Sequence, residues 1–197
     1  LGDVYKRQLQ RHSLYNVSVQ KGFHFILDNI EDYFKEFNRR SRLQIICDLL
    51  DVPYSFISGM KPELVAKKEC VNKVKALLGR INRPLCVLGL ESRNPKRTYP
   101  TFHWDSLAKK ISRYFQPVFV ALNKYKLNYG INLTGQLNIS ELIALVSLSE
   151  LVISVDSLLY WIALSQNKTS IVLFSCIPPE WRIKEFRDLI HPIEPDT

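Results

Sequence analysis

From residue 85 onward the chain alternates two hydrophobic rhythms. Short, nearly unbroken apolar runs, "LCVLGL" (85–90), "PVFVAL" (117–122), "INLTG" (131–135), "LVISV" (151–155) and "SIVLF" (170–174), read as strands. Longer stretches with helical spacing lie between them. Over 101–115, Leu107, Ile111 and Phe115 share a face. A second helix runs from Asn138 to about Ser149, and Asn138 with Glu141 fits a capping box, in which cap and third residue exchange bonds with exposed backbone N–H groups. A third covers 158–165, and "PPEWRIKEFRDLI" opens on proline and reads as a last helix. Short strands without polar alternation, alternating with helices, predict a parallel sheet covered on both faces.

Ahead of residue 82 only the helical period appears. Phe23, Ile26, Leu27, Ile30, Phe34 and Phe37 form one stripe over 21–37, and "SRLQIICDLL" (41–50) reads as a second helix. Pro62 and Glu63 open a third, with Leu64, Val65, Val71, Val74, Leu77 and Leu78 as its buried face and Gly79 as its stop. The expected division is a helical segment over 1–80 and a Rossmann-like, doubly wound α/β domain over 81–197.

In open parallel sheets ligands sit beyond the carboxyl ends of the strands. Those ends carry Glu91, Ser92, Arg93, Lys96 and Arg97 after the first strand, Asn123 after the second, Thr134 and Gly135 after the third, Asp156 and Ser157 after the fourth, and Ser175 and Cys176 after the fifth. The set suits an anion. The helix starting near Leu158 presents unpaired N–H groups. Ser157 can cap one of them or bond a phosphate oxygen, and Asp156 would then face another part of the ligand, such as sugar hydroxyls. The same pair also serves as an ordinary N-cap. "NPKRTYP" (94–100) reads either as a cationic loop gripping a diphosphate or as a solvated turn. Gly135 would permit close backbone approach, or simply make a turn. His103 and Trp104 read as packing residues. No Gly-rich dinucleotide fingerprint, P-loop, Ser-His-Asp arrangement or metal-ligand spacing is present.

Composition narrows the partners. The chain has 197 residues, 46% of them hydrophobic, enough for a real core. No apolar run is long enough to span a bilayer. The net charge of +8 favours anionic partners. No stretch interleaves cations with aromatics as an RNA-binding sheet does, so nucleic acid is not an expected partner. The four cysteines are scattered and read as buried free thiols. The first residues, "LGDVYKRQLQRH", lack the apolar core of a secretory signal, so a cytoplasmic setting is expected and the sequons at Asn16, Asn132, Asn138 and Asn167 are read as chance.

Several of these segments together resemble one family. "RPLCVLGLESRNPKRTYPTFHWDSLAKKI" is similar to the strand–loop–helix of glycosyltransferase family 9, the bacterial heptosyltransferases of lipopolysaccharide core synthesis, with Tyr99-Pro100 in place of the family's Trp-Pro. "INLTGQLNISELIALVSLSELVISVDS" resembles its Leu-Thr-Gly turn, Glu-Leu helix and strand ending in Asp-Ser or Asp-Thr. The order is kept over roughly residues 20–190. The resemblance implies the C-terminal, donor-binding half of a GT-B fold and an inverting, metal-independent transfer of a heptose-like sugar from a nucleotide-sugar, ADP-heptose in the best-known members. No cofactor is implied. The acceptor would be a glycan or lipid-linked glycan, met at the periphery of the inner membrane. The acceptor site and general base would belong to an N-terminal domain outside this chain, which is expected to be truncated at both ends, so no catalytic residue is expected here. Carried over, Lys96 or Arg97 matches the basic residue near the donor phosphates, Thr134 and Gly135 the turn near the nucleotide, and Asp156 and Ser157 the pair at donor sugar and diphosphate. Where the family continues with Gly, then a small residue or Pro, and has His five residues after the Asp, this chain has Leu158, Leu159 and Trp161. That departure implies the alternative, a non-catalytic GT-B-like binding module with a decayed donor site.

Overall fold

The computed structural model describes residues 41–50 and 52–195. The predicted helix over 21–37 lies outside the described residues. The chain divides into two compact units, one holding the described residues up to Ser58 with Glu180–Arg182, the other Gly59–Pro179 with Ile183 onward.

The first unit contains helix α1 (Arg42–Leu50) and a single turn at Tyr54–Phe56. Ser41 and Gln44 form a reciprocal cap: the Ser41 N–H donates to Gln44 Oε1 at 2.7 Å and the Gln44 N–H to Ser41 Oγ at 3.3 Å. Ile45 and Cys47 are buried.

The second unit is built on a sheet. Helix α2 (Lys68–Leu78) precedes β1 (Leu85–Gly89), α3 (Thr101–Ile111), β2 (Gln116–Val120) and β3 (Ile131–Asn132). Then follow α4 (Ile139–Ser147), β4 (Leu151–Val155), α5 (Leu158–Ser165) and β5 (Thr169–Leu173). A short helix α6 (Pro179–Ile183), whose Glu180–Arg182 count with the first unit, and a turn at Lys184–Phe186 lead to β6 (Ile190–Ile193). The six strands are all parallel, in the order β3-β2-β1-β4-β5-β6. The expected Rossmann-like, doubly wound parallel sheet preceded by helical segment is what the structure contains.

Alternate side chains of each strand point to opposite faces. On one face Leu85, Val87, Val118, Val120 and Val152 pack with Val74 of α2, Leu145 of α4 and Ile162 of α5. On the other, Cys86, Leu88, Phe119, Ile153 and Val155 pack around Trp104 and Ala108 of α3. Both faces are covered, which is why β1 and β4 could be written without polar alternation. The predicted capping box of α4 is present: Asn138 Oδ1 accepts from the Glu141 N–H at 3.0 Å, and Glu141 Oε2 from the Asn138 N–H at 2.9 Å.

Two expectations are corrected. The helix predicted from Pro62 begins only at Lys68, with residues 60–67 in no regular element. Val65 is 88% exposed and Leu64 37%, so this stretch covers little apolar surface beyond Ala66, and helix propensity alone does not hold a turn. Helix α2 packs onto the sheet through Val74 and Leu78, within the unit that begins at Gly59. The last helix, expected over 178–190, is helical only from Pro179 to Ile183, and Ile190 belongs to β6. It is an edge strand with Pro192 in it, where a missing N–H is tolerated.

Candidate functional site

The chain leaves β1 towards β2 and β3 on one side and returns through β4 towards β5 and β6 on the other. The crevice at such a reversal, outside the carboxyl ends of β1 and β4, is where open α/β sheets bind ligands. Two pieces of chain meet there, residues 90–100 after β1 and Asp156-Ser157 after β4.

The first piece turns tightly at Pro95–Arg97. Asn94 starts the turn, its Oδ1 accepting from the Lys96 N–H at 3.0 Å. The Asn-Pro dipeptide is the sequence signal for this turn. From it Arg97 reaches across to β4: Nη1 donates to Asp156 Oδ2 at 3.0 Å and to the Asp156 main-chain oxygen at 3.1 Å. The Asp156 side chain is 4% exposed and that of Arg97 20%. Ser175, beyond β5, donates its hydroxyl to the Lys96 carbonyl at 2.9 Å. The turn is thus fastened to the ends of both β4 and β5, with the Lys96 side chain exposed.

Ser157 is the N-cap of α5, its Oγ accepting from the Leu159 N–H at a long 3.4 Å. Leu158 stands 57% exposed at the helix start, whereas Leu159 is buried in the core. Leu159 lies against Gly89, where an added Cβ would meet its Cδ2 at 2.5 Å. Of the two leucines that stand where the family has small residues, only Leu158 is therefore exposed at the helix start. Trp161 is turned to packing, against Tyr160 and, edge-on, Phe186.

The remaining two candidates stand apart. Thr134 and Gly135 follow β3, three strand positions from β4, about 14 Å at the usual inter-strand spacing. Thr134 is buried, and its hydroxyl donates to Asn132 Oδ1 at 2.7 Å and accepts from the Tyr125 N–H at 3.0 Å. That hydroxyl therefore fixes the β2–β3 connection. Gly135 has φ +67°, and a Cβ there would meet Lys124 Cγ at 2.6 Å.

Glu91 knits the same rim. Its carboxylate accepts from the N–H groups of Leu122 (2.6 Å) and Asn123 (2.9 Å), from Asn123 Nδ2 (3.0 Å) and from the Tyr125 hydroxyl (2.6 Å). Burial pushes the carboxyl up, but these donors, Tyr125 foremost, outweigh it and hold Glu91 below its ordinary value. The same bond pushes the Tyr125 phenol up. The sequence reading missed the roles of Tyr125 and Asn132, for which no local pattern exists. Gly89 carried a weak signal as a glycine inside a strand. Among the described residues, no three His, Cys, Asp or Glu side chains gather as a metal cage.

Residues 40–183 match the family model of glycosyltransferase family 9 (heptosyltransferase). No curated protein matches the chain. Among solved structures, the family 9 glycosyl transferase of Veillonella parvula is similar at 15% identity and TM-score 0.65, over 79% of this chain and 49% of that one. The ADP-heptose LPS heptosyltransferase II of E. coli is similar at 19% identity and TM-score 0.57, over 69% and 46%. The E. coli heptosyltransferase WaaC, solved with ADP, is similar at 12% identity and TM-score 0.50, over 64% and 42%. The chain spans less than half the length of each of these structures. With its ordered motifs and matching sheet, this chain belongs to glycosyltransferase family 9, the heptosyltransferase family.

Proposed function

We propose that this chain is the donor-binding half of a sugar transferase with a GT-B architecture, moving a heptose-like sugar from a nucleoside-diphosphate donor to a glycan or lipid-linked glycan of the lipopolysaccharide type. The observation that carries this reading is the meeting of Arg97, Asp156 and Ser157 at the strand reversal, in the order the family motifs have them. An acceptor hydroxyl attacks the anomeric carbon, the bond from that carbon to the phosphate oxygen breaks with inversion, and the nucleoside diphosphate leaves with the electron pair. The proton passes to a base outside this chain, in the partnering N-terminal half. Here Arg97, Lys96 and the first N–H groups of α5 offset the charge growing on the leaving phosphate, without a metal ion. ADP-heptose is the donor to test first, since the E. coli relatives are a heptosyltransferase named for ADP-heptose and one solved with ADP. The cytoplasmic face of the inner membrane is where such an acceptor is met, and no described helix is long and apolar enough to cross it.

Calorimetric titration of the chain with ADP-heptose, ADP, UDP and GDP tests the reading. Binding of one of them, weakened about tenfold or more by Arg97→Ala, is expected for loss of a charge-assisted contact. Absence of binding to all four would sink it. A second reading, a binding module with a decayed donor site, is favoured by Trp161, which is partly buried against Phe186 where the family has His, and by Leu158 in place of Gly. It expects no nucleotide binding by the native chain and a gain on L158G/W161H.

A further inference from the structure

Between Asp105 and Glu141 the sequence holds no carboxylate, while Lys109, Lys110 and Arg113 fall inside that interval. The fold gathers these three at the end of the sheet opposite the crevice. Lys109 and Lys110 stand on the last turn of α3, and Arg113 just beyond it. Arg83, ahead of β1, joins them: its Nη1 donates to the Ser112 carbonyl at 2.8 Å, and the Gln116 N–H donates to the Pro84 carbonyl at 2.8 Å. All four cations are exposed, and among the described residues none of them forms an ion pair. Two acids lie nearby. Asp105 is occupied, its carboxylate accepting from the Asn128 and Tyr129 N–H groups and from Asn128 Nδ2. Glu150, exposed where β1 and β4 begin, offsets one of the four charges. The carbonyl end of a helix attracts cations, but Arg83 already bonds the Ser112 carbonyl there, so Lys110 and Arg113 are surplus to that need. Two tyrosines complete the corner. Tyr114 is 63% exposed with Arg113 Cζ 5.1 Å from its ring centre, and Tyr129 is 43% exposed with Lys109 Nζ 5.3 Å from its own.

We infer that this corner is a docking surface for an anionic lipid bilayer, with Arg83, Lys109, Lys110 and Arg113 against lipid phosphates and Tyr114 and Tyr129 at headgroup depth. Clustered cations without acidic partners are drawn to the negative potential of such a surface, and tyrosine settles at the boundary between headgroups and acyl chains because its ring is apolar and its hydroxyl is wet. Nucleic acid carries phosphates too, but proteins that hold single strands stack bases on aromatic faces. Here one face of each tyrosine ring is already covered by a cation from the same corner. The inference adds a partner to the proposed transferase and does not depend on its donor site, because the corner lies at the other end of the strands.

The test is co-sedimentation of the full chain with vesicles of equal parts phosphatidylglycerol and phosphatidylcholine, against vesicles of phosphatidylcholine alone. Binding is expected only to the anionic vesicles and should weaken as salt is raised. K109Q/K110Q/R113Q is expected to lose about fivefold in partitioning for each charge removed, about a hundredfold together. K67Q/K68Q/K124Q removes the same net charge from exposed positions at the opposite end of the sheet and should lose far less. Tyr114→Ser with Tyr129→Ser should also weaken binding, although it leaves the charge unchanged. Circular dichroism and thermal melting establish that each variant is folded, and the two tyrosine substitutions serve if the triple variant is not. Equal losses in the two charge variants would reduce the effect to net charge and overturn the inference. So would equal binding to both kinds of vesicle, no binding to either, or binding to random single-stranded DNA that the corner substitutions abolish while vesicle binding stays. ADP titration of K109Q/K110Q/R113Q separates the two proposals: its ADP affinity should equal that of the native chain, and a native chain that binds anionic vesicles but no nucleotide would keep this surface and remove the donor-binding role.

Discussion

At the end of β1, Gly89 and Leu159 compete for one space. A Cβ on Gly89 would lie 2.5 Å from Leu159 Cδ2 and 3.0 Å from Ser154 Cβ, in a fully packed part of the core. Gly89→Ala is therefore expected to destabilise the fold by about 1–3 kcal/mol through overpacking. The same substitution in a Leu159→Ala background should cost less, a coupling that urea unfolding of the four proteins measures. Gly135 is a glycine for a different reason. Its obstacle is a surface lysine methylene that can move, so the demand comes from φ +67°. Gly135→Asn should then be milder than Gly135→Val, since Asn tolerates the left-handed region and β-branched residues do not, and thermal melting of the two variants checks this ordering. Neither role can be read from the sequence, where both look like turn or strand glycines. The Arg97–Asp156 contact is equally illegible there, because its partners lie 59 positions apart and only the crossover brings them together.

Among the elements, α4 shows how far local patterns reach. Asn138 and Glu141 were readable as a capping box because the bonds involved span three residues. Asn138→Ala should cost about 1 kcal/mol of stability in urea denaturation. The box also holds something the pattern did not show: Glu141 accepts a hydrogen bond and ion pair from Lys73 on α2. The Lys73 bond first, then the Asn138 N–H, hold the Glu141 carboxyl below its ordinary range. Its contribution is complete above the unfolded carboxyl pKa of about 4.3 and is lost as pH falls through the lower folded value. Glu91, lowered by its own donors, adds in the same sense. Lys73 is raised by the same bond, so its share is present below about pH 10.4 and is lost as pH climbs through its folded value. The urea midpoint should accordingly fall on both the acid and the alkaline side, and Glu141→Gln should flatten both limbs. The pattern failed where an element's existence depended on a neighbour. Residues 62–67 had helical spacing but leave Leu64 and Val65 exposed, and β6 had too few residues and a proline, yet pairs with β5 from Ser170 to Leu173.

Across the whole molecule, the sheet's centre reports global opening. Cys86 lies in β1 with both neighbouring strands paired to it, and burial pushes its thiol up to about 12. Cys176 is exposed and Cys70 partly so, which corrects the expectation of four buried thiols. Mass spectrometry after brief alkylation of the native chain should find Cys176 modified first, while Cys86 reacts only on the timescale of global unfolding. Reaction of Cys86 at the rate of Cys176 would mean that β1 opens locally.

The residues of the chain by themselves determined the kind of fold. Continuous apolar runs of strand length separated by helical periods leave a doubly covered parallel sheet as the only arrangement that buries both faces, and caps and boundaries within β4, α4 and α5 follow from contacts a few residues long. They also supplied the motif order that marks the family. The strand order was settled only in three dimensions, because parallel neighbours are joined through crossovers and no local signal says which side of β1 a returning strand will take. That choice decides the site. It places Arg97 on Asp156, leaves Thr134 and Gly135 three strands away at the other edge, and sends Leu159 into the core while Leu158 faces solvent. Burial and hydrogen-bond geometry across the reversal set these outcomes, and both depend on residues far apart along the chain.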